Sequence, residues 1–357
     1  MESRKGIILA VLVMAVMLSV PLGSLDAVDS DDFTYQSQLD KNGVLVYQQI
    51  GKAESVNETT KEFVVEFVIN DNVFNDQEEA KRYGDSTVQE ALAAEYLTNP
   101  MIPYLWNYPV QEVAVEVEVK PVTIIDLETG KETNMYSVSK VSFTLSVPEG
   151  ITSESIKTLN DALKEVPVNG DTDADKVTSI MAYLDKLNFQ KDEEGKISNI
   201  YNALVDKKTT SAGVAQAFTQ LCVLNHIHAI IVAGDNVMTS QEDKSFWNYV
   251  YLEGEIEGKT ASAWYIVDPT YAVSAGIAGY LTQVEANGHI YSMSAAHYTD
   301  LDLSAPNDLS VPQLTKDKYV RVGGPSFLEM YGEKILIIVL GAVVILAIVY
   351  AVRTGNI

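Results

Sequence analysis

Cysteine is nearly absent: one residue in 357. That excludes an internal disulfide framework and a cysteine-based zinc site. Only 4 histidines are present, which leaves little material for a histidine-rich metal centre, and neither a metal nor a cofactor is expected. Basic residues are also scarce. Lys and Arg number 25 against 49 Asp and Glu, a net charge of −24. Such a surface repels a phosphate polymer, so nucleic acid is excluded as a partner. No internal repeat or low-complexity tract occurs, and no long apolar run lies between the two ends. Hydrophobic residues make up 47% of the chain, ordinary globular usage, which argues against wholesale disorder.

The two ends carry the long apolar runs. Arg4 and Lys5 precede a stretch from Gly6 to Val20, and Pro21, Gly23 and Ser24 break it near Ala27. This layout predicts a signal peptide over residues 1–27, or an uncleaved N-terminal anchor. Ile335 to Val352 contains no charge and is flanked by Lys334 and Arg353. Its length, roughly 27 Å as a helix, predicts a transmembrane helix. The expected localisation is the cell membrane, single-pass, with the main domains extracytoplasmic and the short tail Arg353 to Ile357 inside. Asn57-Glu58-Thr59 is a glycosylation sequon, a pattern that also arises by chance.

Residues 28–150 read as a β-rich domain. Phe63, Val65, Phe67 and Ile69 fall on alternate positions, as do Val113 to Val119 and Val141 to Val147. One helix is expected near Val88 to Tyr96, followed by a Pro- and aromatic-rich packed loop to Pro109. Residues 151–320 begin with helical spacing at Ile156, Leu159, Leu163 and Val166, and again from Val177 to Leu187. Asp171, Thr172 and Asp173 are capping candidates for the second helix. A third helix is expected over about Ser211 to Asn225. Strands then follow at Ala229 to Val232, Trp247 to Leu252 and Trp264 to Val267. Helices followed by antiparallel-type strands indicate an α+β fold.

Three segments of the second half carry a recognisable pattern: Ser211-Ala-Gly-Val-Ala-Gln-Ala-Phe218, Ser245-Phe-Trp-Asn248 and Trp264-Tyr-Ile-Val-Asp-Pro-Thr270. Over about Lys176 to Thr270 the chain resembles the transglutaminase-like superfamily, of papain-type fold, found in many secreted bacterial and archaeal proteins. In that family a helix opens on a catalytic Cys, one strand carries His-Ala-Trp-Asn, and the next carries Trp-Tyr-x-x-Asp-Pro-Thr. The resemblance therefore places the triad positions at Ser211, Ser245 and Asp268. Two of the three depart from the pattern, with Ser replacing both Cys and His. A Ser hydroxyl needs a base within hydrogen-bond reach, and Ser245 cannot serve as one at neutral pH.

Each candidate has a structural reading beside the chemical one. Ser211 is a nucleophile or a helix N-cap. Asp268 orients a base or accepts hydrogen bonds in its Asp-Pro-Thr turn. Cys222 lies three turns into the helix on its apolar face, which fits a buried structural thiol. His226 and His228 read as surface or packing residues, whereas His289 and His297, in the irregular region beyond the third segment, are the candidates for a base recruited by folding back over the cleft. Trp247, Asn248, Trp264 and Tyr265 either pack the core or line a remnant cleft that binds peptide or glycan.

Two functions follow. In the first, the chain is a membrane-anchored pseudoenzyme that binds or scaffolds cell-envelope protein, peptide or glycan. In the second, it is a Ser-dependent amide hydrolase or acyltransferase whose base comes from outside the motif.

Overall fold

A computed structural model describes residues 33–322 except 70, 109–110, 127–129, 190–198, 237–242, 257, 270–284, 287–288, 291–308, 316–318 and 320–321. The expected signal peptide and the span from Ile335 to Val352 lie outside the described residues. Among the described residues, no helix is long and apolar enough to cross a membrane.

The architecture mixes helix and sheet. The first half contains α1 (Lys41–Gly51), β1 (Thr60–Glu66), β2 (Val73–Phe74), α2 (Gln77–Thr98), β3 (Val115–Ile125) and β4 (Glu132–Ser146). β4 is the central strand. β1 and β2 pair antiparallel with it along one edge and β3 along the other. Pro121 sits in β3, an edge strand, where its missing N–H leaves no central ladder broken. The inward residues Phe63, Val65, Val141, Phe143 and Leu145 are buried, as their alternation predicts.

Helix is more abundant in this half than its strand patterns suggest. α1 occupies the segment around Val46-Tyr47-Gln-Gln-Ile50, and α2 is 22 residues long, reaching eleven residues before Val88. The early part of α2 contains Gly84, Asp85, Ser86 and Thr87, all weak helix formers. Packing and capping stabilise it there. Asp76 accepts a hydrogen bond from Glu79 N–H at 2.7 Å, and Ala80 is fully buried. Gly84 lies so close under Val117 of β3 that an added Cβ would stand 2.6 Å from Cγ1. The aromatic loop beyond α2 is packed as expected. Tyr104, Leu105, Trp106 and Tyr108 are buried, and Trp106 Nε1 donates to Pro100 O at 2.8 Å.

The second half follows its sequence patterns closely. α3 (Ser153–Lys164) and α4 (Asp173–Leu184) each begin with a capping box, at Thr152/Ser155 and Thr172/Asp175. The short strands β5 (Asn188–Phe189) and β6 (Lys208–Thr209) pair in parallel. α5 (Ser211–Leu224) leads into β7 (Ala229–Asn236), β8 (Asp243–Ile256) and β9 (Lys259–Val267), an antiparallel sheet in sequential order. Two more short strands, β10 (Glu285–Ala286) and β11 (His289–Ile290), pair with each other.

The three-stranded sheet is buried on both faces. One side packs on α5, through Val250, Leu252, Tyr265 and Val267. The other joins the core of the first half. There, Tyr35 donates its hydroxyl to Ile231 O at 2.8 Å, and Phe33 meets Trp264 edge-on at 6.0 Å. At the outer edge of β9, Thr315 N–H donates to Trp264 O.

Candidate functional site

α5 is built for close approach to β8. Ala212, Gly213, Ala215 and Ala217 are all buried and small, so the helix backbone can settle onto the sheet. Asn248 uses that proximity. It is fully buried, and its Nδ2 donates to Thr219 Oγ1 (2.8 Å), Ala215 O (3.1 Å) and Ile230 O (3.2 Å). One amide therefore ties the helix to two strands. Gln216, also buried, accepts a hydrogen bond from Ile200 N–H at 2.9 Å.

At the start of α5, Thr210 is the N-cap and Ser211 the first helical residue, one position later than the capping reading of Ser211 requires. The Ser211 side chain points away from its own helix end. Its Oγ accepts the N–H of Phe246 at 3.2 Å. Ser245, next to Phe246, pairs with Gly234 through the backbone ladder of β7 and β8. Asp268 is buried and follows Val267, whose ladder partner is Asn248. Helix start, strand start and strand end thus converge on one end of the sheet, bringing together the three positions the motif singles out.

The other predicted residues distribute differently. Trp247, Trp264 and Tyr265 are fully buried, like Asn248, so all four lie inside the core with no face open to solvent. Cys222 is fully buried, and burial, with the charge of Asp173 adding to it, pushes its thiol well above the ordinary value. His228 lies edge-on to Trp264 at 4.7 Å, and its carbonyl accepts from Tyr251 N–H. Five strand residues separate Tyr251 from Phe246, about 17 Å at strand rise, so His228 is remote from Ser211. His226 is exposed in a left-handed conformation (φ 62°) at the C-terminus of α5. His297 lies outside the described residues; His289 pairs with Ala286 through β10 and β11. Among the described residues, no group of three His, Cys, Asp or Glu side chains is placed to hold a metal.

A second feature escaped the motif reading. Glu95 of α2 is only 2% exposed. Burial pushes its carboxyl up to about 7; hydrogen bonds from Tyr47 and Asn99 oppose the rise, and the charge of Glu54 adds to it. Its one sequence signal is an acidic residue inside the apolar run Ala91 to Leu97.

Solved structures similar to this chain include a TGase, with 12% identity, TM-score 0.27 and coverage of 63% of this chain and 56% of that one. Another is a candidate cysteine protease from Cytophaga hutchinsonii, with 13% identity, TM-score 0.27 and coverage of 50% and 68%. A third is the periplasmic domain of TgpA from Pseudomonas aeruginosa bound to ethylmercury, with 15% identity, TM-score 0.20 and coverage of 46% and 66%. These neighbours are transglutaminase-like and cysteine-protease-like proteins, and the chain spans little more than half the length of the first. No protein-family model and no curated protein matches the chain.

Proposed function

We propose that the chain is an outward-facing, membrane-anchored module of transglutaminase-like, papain-type architecture that binds or scaffolds cell-envelope protein, peptide or glycan without catalysing acyl transfer. The observation that carries this reading is the state of Ser211. It occupies the nucleophile position of the motif, yet its oxygen accepts the Phe246 N–H. In the sequence, Ser245 stands where the motif calls for a base. A hydroxyl becomes a competent nucleophile only with a proton acceptor in hydrogen-bond reach. Neither described histidine whose side chain is placed, His226 or His228, lies at that end of the sheet. Membrane anchorage rests on the uncharged run Ile335 to Val352.

The test is a pair of assays on the detergent-solubilised full chain: release of ammonia from glutamine peptides, and incorporation of a fluorescent amine into casein. Rates equal to those of Ser211→Ala are expected. A rate that Ser211→Ala abolishes would overturn the reading. If His289→Ala or His297→Ala abolished it too, the Ser-dependent hydrolase with a recruited base would take its place. Protease added outside intact cells is expected to degrade the region 33–322; protection of that region would refute the outward orientation.

A further inference from the structure

β1 forms an edge of the four-stranded sheet and pairs with β4 alone. Phe67 N–H donates to Ser139 O and Val147 N–H to Thr59 O, both at 2.9 Å. In an antiparallel ladder every second residue exchanges hydrogen bonds with its partner, so Lys61, Phe63 and Val65 turn their backbone groups toward β4. Thr60, Glu62, Val64 and Glu66 turn theirs to the open side. No hydrogen bond among the described residues reaches them there. The side chains of Glu62, Val64 and Glu66 are exposed as well, Val64 at 46%.

Edges on β3, β7 and β9 carry interruptions. The Tyr35 hydroxyl occupies Ile231 O on β7, and Thr315 N–H meets Trp264 O on β9. On β3, Asp126 N–H donates to Lys131 O, and alternation from that pair points the Pro121 nitrogen outward, where it offers no donor. Folded proteins commonly guard an open edge with Pro or Lys. The outward positions of β1 hold neither; they hold charge of one sign. Glu116 of β3 lies on the same face, opposite Ser142, which in turn faces Val64. Lys140 and Lys120 both pair with Glu118, at 2.8 and 3.3 Å, so Glu62, Glu66 and Glu116 have no ion-pair partner among the described residues. A second copy of the chain fits this edge badly. Antiparallel pairing of two β1 strands gathers four glutamates, Glu62 and Glu66 from each, on one face.

We propose that β1 accepts an extended segment of a partner protein as an added strand, with a basic side chain beside Glu62, an apolar one beside Val64 and a basic one beside Glu66. The open backbone groups of Thr60, Glu62, Val64 and Glu66 supply the hydrogen bonds, and the two carboxylates select the partner by charge. Residues of the partner between those three positions lie on the Lys61 face. The Lys61 ammonium stands there over the Phe63 and Tyr104 rings, at 5.4 and 5.8 Å, so these intervening residues are neutral. The surface belongs to the sheet of the first half, not to the sheet of β7, β8 and β9 with its motif positions. It therefore operates whether or not Ser211 is catalytic, and its test leaves the acyl-transfer assays untouched.

The experiment is calorimetric titration of the full chain in detergent with a seven-residue peptide of sequence TKTVTKT, at up to about 2 mM. Binding is expected, and the acidic counterpart TETVTET is expected to bind at least about tenfold more weakly. N-methylation of the lysines and the valine removes the N–H groups that face β1 and is expected to abolish binding. N-methylation of the two inner threonines, whose N–H groups turn away, is expected to preserve it. Glu62→Lys and Glu66→Lys, both at exposed positions, are each expected to weaken binding about tenfold. Val64→Pro removes an open-edge donor without touching the ladder to β4 and is expected to abolish binding, with the fold checked by circular dichroism. No binding of TKTVTKT would overturn the proposal. So would equal binding of TETVTET or of the peptide methylated on lysine and valine, since that would be general adhesion to the chain. Binding that Glu62→Lys and Glu66→Lys leave unchanged would also count against it. A dimer of the full chain that Val64→Pro dissociates would assign the edge to a second copy and overturn it too.

Discussion

Replacing Asn248 with alanine removes a side chain that holds α5 against β7 and β8. The Nδ2 group has two hydrogens shared among three acceptors, at 2.8, 3.1 and 3.2 Å. Two net hydrogen bonds are worth about 2 kcal/mol. The site is fully buried, so the vacated space adds about 1 kcal/mol. The Thr219 hydroxyl can turn elsewhere, which limits the loss, and the expected destabilisation is about 2–4 kcal/mol. Denaturant unfolding followed by tryptophan fluorescence reads it directly, because Trp247 and Trp264 lie in the same sheet. Thr219→Val completes a double-mutant cycle, with an expected coupling of about 1 kcal/mol. Asn248→Asp adds a sign. A carboxylate facing the Ala215 and Ile230 carbonyls has its folded pKa raised, so that variant is most stable in acid and weakens as pH rises through that value. An Asn248→Ala cost below about 0.5 kcal/mol, with no coupling to Thr219, would refute the argument that this amide ties the helix down.

Other perturbations test the remaining packing. The folded Glu95 keeps its proton to about 7 against an ordinary 4.5, so the wild type loses about 3 kcal/mol as pH rises between those values. Glu95→Gln is expected to flatten that slope in unfolding experiments across pH 4 to 8, and an unchanged slope would assign it to another group. Gly84→Ala drives a methyl to within 2.6 Å of Val117 Cγ1 and is expected to cost about 1–3 kcal/mol; Val117→Ala should restore most of it in the double variant. Cys222 is expected to resist a maleimide in the folded chain and to react fully once denaturant is added, as mass spectrometry would read.

Much of the second half was legible from spacing alone. Ile156, Leu159 and Leu163 mark α3, and Val177, Ile180, Met181 and Leu184 mark α4, because a 3.6-residue period survives wherever one helix face meets the core. The strands β7, β8 and β9 were equally visible as short apolar runs. α1 and the early part of α2 were not. Gly84 and its polar neighbours have poor helix propensity, and contacts with β3, far along the chain, hold them helical. Trp247, Trp264 and Tyr265 had two readings, core or cleft, because an aromatic residue satisfies both patterns. Their complete burial places them in the core.

The amino-acid sequence by itself determined the charge of the chain, the apolar runs at its ends, the order of helices and strands in its second half, and the scarcity of Cys and His. These are local properties of composition and period. Only the tertiary structure decided that Ser211 Oγ meets Phe246 N–H, that Asn248 spans a helix and two strands, and that Glu95 lies buried. Each of these depends on residues far apart in the chain, and their meeting is set by how the sheet packs between α5 and the first half, which no local pattern encodes.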